Sequence, residues 1–83
     1  MSRDDVLAVV GAQARALLPE LDGWDASRPL SESPLSSLDF VELVAAVSNA
    51  LGARPPRSEL SRVDSLNELA DVFLRAVQAR ASS

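Results

Sequence analysis

Two short segments of the chain place a serine before a leucine at what looks like the start of a helix. One is LSSLDFVEL at residues 35–43, with Ser37, and the other is VDSLNEL at residues 63–69, with Ser65. A serine hydroxyl at such a position either takes part in chemistry or caps the helix by accepting a backbone N–H. The chain has no Cys and no His, so it offers no thiol, imidazole base or usual zinc ligand. We therefore do not expect catalysis by this chain alone, and the question is which serine is chemically used.

The charge of the chain is acidic, with a formal net charge of −4, and all of its basic residues are Arg. Acidic side chains outnumber Arg most strongly between residues 20 and 42. Nucleic acid requires a basic face, so we expect no nucleic-acid partner. An acidic surface suits a protein partner with a basic docking patch, although the same charge also serves solubility.

Length and hydropathy indicate one small domain spanning residues 1–83. No apolar run approaches the roughly 20 residues that a membrane helix needs, so we expect no membrane association. The N-terminus carries Asp4 and Asp5 where a signal peptide would be positive. These features predict a cytoplasmic protein, and we expect a monomer.

Apolar residues at helical spacing predict an all-α fold, a small helical bundle with three main helices and one short helix. We place the main helices at 4–18, 37–51 and 65–80 and the short helix at 58–63, with Ser58 as its cap. Residues 19–36 contain three prolines and predict a long loop between helices 1 and 2. Trp24, the only Trp, is expected to anchor that loop onto the core.

The two Ser-Leu pairs differ in the side of the helix on which the leucine falls. In the last helix Leu66 lies on the apolar stripe, and Ser65 and Glu68 fit a capping box, so Ser65 has a structural explanation. In helix 2 the core stripe runs through Phe40, Leu43, Val44, Val47 and Leu51, and Leu38 points away from it.

The outward face of helix 2 combines apolar and acidic side chains. It carries Leu38, Val41 and Ala45, with Asp39 and Glu42 beside them. An apolar spot rimmed by acids favours a docking surface, whereas the alternative is that single exposed apolar residues are common. Ser37 lies in the first turn, where free backbone N–H groups and the helix dipole favour an attached phosphate. Ser36 is the expected N-cap, with Asp39 three residues later.

The segment SLDFVELV and the loop before it resemble the acyl carrier protein family, whose pattern is roughly D-S-L-D-x-V-E-L. The resemblance extends over nearly the whole chain, because VLAVVGAQ is similar to the first carrier helix and SELSRVDSLNELADVFL to helices 3 and 4. Three features depart from the family pattern: Ser36 replaces the usual Asp, the Gly usually found just upstream is not evident because Pro34 and Leu35 occupy that stretch, and Pro55 replaces an aliphatic residue.

The resemblance implies that Ser37 receives a covalent 4′-phosphopantetheine arm from a phosphopantetheinyl transferase. Acyl groups are then carried as thioesters on the thiol of the arm, which explains how a chain without Cys could serve thiol chemistry. Leu38, Val41 and Glu42 correspond to the family's docking positions, and Asp39 to an acidic position on the same helix. We therefore expect the docking surface to consist of Leu38, Asp39, Val41, Glu42 and Ala45. The implied partners are acyltransferase, ketosynthase or ligase-type enzymes with basic docking patches.

The resemblance leaves several functions open. We favour a non-catalytic acyl carrier in specialised polyketide or fatty-acid-type biosynthesis, and a peptidyl or aminoacyl carrier is an alternative. A further alternative, favoured by Ser36 in place of Asp, is an unmodified adaptor that only docks partner proteins. The small residues Ala45, Ala46 and Ala50 suggest room for part of an acyl chain beside helix 2.

Overall fold

The chain forms an all-α bundle in a computed structural model that describes residues 1–82. The helices are α1 (Arg3–Leu17), α2 (Ser37–Leu51), α3 (Arg57–Leu60) and α4 (Leu66–Ser82). The loop between α1 and α2 contains two 3₁₀ turns, Pro19–Leu21 and Leu30–Glu32. The predicted fold class, with three main helices and one short helix, is confirmed, and no helix within the described range is long and apolar enough to cross a membrane.

The core lies where α1 packs against both α2 and α4. The predicted stripe of α2 is confirmed, with Leu43, Val44 and Val47 buried and with Phe40 and Leu51 half-buried at its ends. Its partners are the buried residues of α1 and α4 together with two leucines of the long loop: Val6, Val10, Ala14, Leu21, Leu30, Leu66, Leu69, Ala70, Val72 and Phe73. Helical periodicity thus brings three apolar stripes into one core.

Capping boxes start α1 and α2. In α1 the Asp5 N–H donates to the Ser2 hydroxyl at 3.2 Å, and the Ser2 N–H donates to the Asp5 carboxylate at 3.1 Å. The hydrogen bond that the Ser2 backbone N–H donates to the Asp5 carboxylate, and after it the Ser2 hydroxyl, lowers the pKa of the Asp5 carboxyl. In α2 the Asp39 N–H donates to the Ser36 hydroxyl at 3.1 Å, and the Ser36 N–H donates to the Asp39 carboxylate at 3.0 Å. Ser36 therefore caps α2 as predicted.

The short helix α3 begins one residue earlier than predicted. Pro56 is its N-cap, without a side-chain hydrogen bond, and Ser58 lies inside the helix. The prediction that Ser58 caps this helix is therefore wrong. Proline already holds φ near the value that a helix start needs, and here φ of Pro56 is −61°.

The predicted anchoring of the long loop by Trp24 is confirmed. The indole is half-buried and packs against the core. The Arg28 guanidinium lies 4.4 Å from the centroid of the indole ring, within cation–π distance. Trp24 therefore fixes the middle of the loop that leads to α2.

The start of α4 also holds this loop, through three hydrogen bonds. The Leu30 N–H donates to the Asp64 carbonyl at 2.6 Å, and the Ser31 N–H donates to the Asp64 carboxylate at 3.4 Å. The Asn67 N–H donates to the Ala26 carbonyl at 2.9 Å. The segment with the literal Asp-Ser-Leu thus positions the loop that precedes Ser37.

Gly52 ends α2 in the left-handed conformation, with φ of 68°, and its carbonyl accepts a hydrogen bond from the Arg80 guanidinium of α4. We expect Gly52→Ala to lower the free energy of unfolding by about 1–2 kcal/mol, because a Cβ disfavours this conformation. Urea denaturation followed by circular dichroism measures the change. Gly11→Ala is the matched control, since Gly11 lies inside α1 and is expected to be neutral or slightly stabilising. Equal losses in both variants would contradict this role of Gly52.

Candidate functional site

Ser37 is the first residue of α2, and its side chain is exposed. The N-cap of this helix is the neighbouring Ser36, whose hydroxyl accepts the Asp39 N–H. Within residues 1–82 the Ser37 hydroxyl has no hydrogen-bond partner. Ser37 therefore offers an accessible hydroxyl that the fold does not use.

The surroundings of Ser37 fit a phosphate ester. Ser37 and Leu38 are the first two residues of α2, so their N–H groups have no carbonyl partner within the helix. The positive end of the helix dipole lies at the same place. A phosphate attached to the Ser37 oxygen would thus meet unpaired donors.

Ser65 has the opposite character. It is only 7% exposed, and its hydroxyl accepts the Glu68 N–H at 3.1 Å. The Glu68 carboxylate accepts the N–H of Asp64 at 2.8 Å, one residue before the position expected in a capping box. The predicted capping role of the Ser65 hydroxyl is confirmed, but the predicted full capping box is not, because Glu68 accepts from Asp64 instead of Ser65.

The outward face of α2 beside Ser37 is apolar. Leu38 is 68% exposed and Val41 is 56% exposed, and among the large apolar side chains of the described residues only Met1 shares this exposure. Glu42 and Ala45 on the same face are also exposed. Asp39 is half-buried and its carboxylate is held by the Ser36 N–H, so part of its hydrogen-bonding capacity is used within the helix start.

A groove of about 460 Å³ opens between α2 and α3. Its lining consists of Phe40, Val41, Val44, Arg54, Pro55, Arg57, Leu60 and Ser61. The suggestion of space beside Ala45, Ala46 and Ala50 does not match this position, because none of these alanines lines the groove. Ala45 and Ala50 instead face solvent, since they lie off the buried stripe of α2.

Sequence comparison identifies the family of this chain. The family model described as "Phosphopantetheine attachment site" matches residues 4–73. The chain belongs to the acyl carrier protein family. This carrier is also 33% identical, over 81 residues, to the polyketide biosynthesis acyl-carrier-protein AcpK of Bacillus subtilis (strain 168), an alignment that covers 95% of this chain and 99% of AcpK. No solved structure matches the carrier.

Family membership defines the chemistry of this carrier in outline. The cofactor is a covalently attached 4′-phosphopantetheine, and the carrier is a non-catalytic shuttle rather than an enzyme. A carrier protein works with a phosphopantetheinyl transferase and with biosynthetic enzymes. The sulfur for thioester chemistry comes from the cofactor, in agreement with a chain that has no Cys.

Two arginines of the groove, Arg54 and Arg57, are not distinguished by the sequence pattern. The available signal is the segment ARPPR at residues 53–57, in which Pro55 and Pro56 hold two basic residues close to α2. Its composition indicates only a stiff connector. This segment borders a groove only because α3 packs near α2. The helical periodicity of the sequence does not predict that packing.

Proposed function

We propose that Ser37 is the attachment residue and that the chain carries acyl thioesters in polyketide-type biosynthesis. The observation that carries the assignment is that, among the residues the structure describes, the Ser37 hydroxyl is exposed and makes no hydrogen bond, while Ser65 is buried and its hydroxyl accepts the Glu68 N–H. The kind of pathway is supported by the likeness to AcpK, which is named for polyketide biosynthesis.

The modification itself requires a transferase. The Ser37 oxygen attacks the β-phosphate of coenzyme A, a new P–O bond forms, and the P–O bond to the adenosine bisphosphate half breaks. In this step the hydroxyl proton passes to a base in the active site of the transferase. The exposed position of Ser37 gives the transferase access, and the α2 N–H groups are placed to receive the phosphate.

The docking surface for partner enzymes, in this proposal, consists of Leu38, Asp39, Val41, Glu42 and Ala45. Exposed Leu38 and Val41 supply an apolar centre, and Glu42 supplies charge at the rim. Acyltransferase, ketosynthase or ligase-type enzymes with basic patches would match this surface in charge. Its position beside Ser37 would bring their active sites to the arm.

Loading of the purified chain tests the function. The protein is incubated with coenzyme A and a broad-specificity phosphopantetheinyl transferase, and its intact mass is measured. We expect a gain of one phosphopantetheine. A lack of gain with several transferases would favour the second candidate, an unmodified adaptor, for which the specific observation is Ser36 in place of the family's Asp.

Reversing the charge of Glu42 tests the docking surface. We expect Glu42→Arg to slow the transferase reaction by roughly a factor of three to ten at low salt, because like charges would meet at the interface. Glu42 is exposed, so the unfolding transition should stay nearly unchanged. The initial rate of loading is the measurement. Glu20→Arg, an equal charge change on the exposed long loop, should leave the rate nearly unchanged, and equal slowing by both variants would exclude a local docking role.

A further inference from the structure

The groove between α2 and α3 combines an apolar lining with two positive charges. Phe40, Val44, Pro55 and Leu60 supply the apolar surface, and Arg54 and Arg57 contribute their side chains. Its volume of about 460 Å³ is in the range of small-ligand sites. An apolar floor with a cationic rim fits a ligand that has a hydrocarbon segment and an anionic end.

The two arginines are not neutralised by any residue in the part of the chain that the structure describes. Within residues 1–82, Arg54 and Arg57 make no ion pair or hydrogen bond through their guanidinium groups, whereas Arg3, Arg28 and Arg75 each pair with a carboxylate. The acid of α3, Glu59, is engaged by Arg75 at 2.9 Å. In a chain of net charge −4, this groove therefore presents two uncompensated cations.

The groove begins one helical turn from the proposed attachment residue. Phe40 and Val41 follow Ser37 by three and four residues, so they share its side of α2 and lie about 5.4 Å further along the axis. An arm on Ser37 is flexible, and the acyl group at its end could turn back into the groove. The phosphate of the arm would be bound by the N–H groups at the start of α2 and would not need the groove.

We propose that this groove binds an acyl cargo with a carboxylate at its far end, held by Arg54 and Arg57. The cargo class is a dicarboxylic acyl group with several methylenes, because the methylenes cover Phe40, Val44 and Leu60 while the guanidinium groups bind the terminal carboxylate. A cargo of this kind satisfies both parts of the groove. The proposal rests on the proposed function, in that Ser37 carries the arm.

The test compares three forms of the full chain: the phosphopantetheine form without cargo, the glutaryl form, and the hexanoyl form. Hexanoyl is similar to glutaryl in length but ends in a methyl group instead of a carboxylate. Each form is made from the corresponding coenzyme A compound, checked by intact mass, and measured by two-dimensional proton–nitrogen NMR. We expect the glutaryl form to shift the amide signals of Phe40 and Leu60 and the guanidinium signals of both arginines, relative to the other two forms.

Variants assign the effect to the two charges. In R54Q/R57Q the glutaryl-specific shifts should fall by about twofold or more, since exposed ion pairs contribute modestly. R62Q is the matched control, because Arg62 follows α3 but does not line the groove, and it should keep them. Equal shifts from glutaryl and hexanoyl would overturn the charge selection. If the guanidinium signals of the form without cargo already lie where those of the glutaryl form lie, both shifted from the unmodified chain, the arginines would be assigned to the arm's phosphate and the cargo proposal overturned.

A second measurement separates failure of this proposal from failure of loading. If no transferase modifies the chain, free glutarate and the neutral compound hexanamide are titrated at millimolar concentration into the unmodified protein. Shifts of the Arg54 and Arg57 guanidinium signals by glutarate, absent with hexanamide and absent in R54Q/R57Q, would support the groove site even though the carrier assignment had failed. No glutarate-specific shift would overturn the site.

Discussion

Ser37→Ala is expected to abolish the gain of phosphopantetheine completely. The substitution removes the only atom to which the arm would be joined, while the hydroxyl it removes has no hydrogen-bond partner in the described part of the chain. The capping box between Ser36 and Asp39 remains, so α2 should start where it does in the parent protein. Intact mass after incubation with coenzyme A and transferase gives a yes-or-no answer, and circular dichroism confirms the fold.

Two serine variants serve as controls for that loss. Ser65→Ala should keep the full gain of mass but lower the free energy of unfolding by about 1 kcal/mol, because it removes the hydroxyl that accepts the Glu68 N–H. Ser36→Ala should lower the free energy of unfolding by a similar amount, because it removes the N-cap of α2, and it should still be modified. If Ser37→Ala were still modified and Ser65→Ala were not, the assignment of the attachment site would be reversed.

Phe73→Ala is expected to lower the free energy of unfolding by about 3–5 kcal/mol. Phe73 is the largest of the fully buried side chains and lies on the face of α4 that enters the core. A domain of this length is stabilised by about 4–12 kcal/mol in total, so the loss takes a large share. Urea denaturation followed by circular dichroism measures the midpoint and the slope of the transition.

The control for Phe73 lies one turn further along the same helix. Val77 is half-buried, so Val77→Ala removes fewer contacts and should cost about 1 kcal/mol or less. A loss in Phe73→Ala no larger than the loss in Val77→Ala would show that Phe73 does not dominate the core. Ser37 is unchanged in Phe73→Ala. We therefore expect the extent of phosphopantetheine loading of this variant to follow the fraction of its molecules that is folded.

The part of the fold that follows from local periodicity could be predicted from the sequence. The bounds of α2 agree with the prediction at both ends, since Ser36 caps one end and Gly52 ends the other. The same helical spacing separates Leu38, which is exposed, from Leu66, which is buried. The contrast between Ser37 and Ser65 follows from that difference, because each serine directly precedes the leucine in question.

The remaining features depend on contacts between distant residues. Ser31 and Asp64 are 33 positions apart, and their hydrogen bond exists only because the long loop crosses the start of α4. The groove with Arg54 and Arg57 likewise forms where α3 approaches α2. Periodicity describes which face of a helix is apolar, but it does not report which loop or short helix covers that face.

The three hydrogen bonds between the long loop and the start of α4 have a consequence for recombining carrier proteins. The loop positions Ser37, and Asp64 and Asn67 position the loop through Leu30, Ser31 and Ala26. A chimera that exchanged the loop and α2 alone would separate these paired segments, whereas one that also exchanged residues 64–67 would keep them together. The two segments should therefore be inherited as one exchangeable unit, although Ser31 and Asp64 lie 33 positions apart in the sequence.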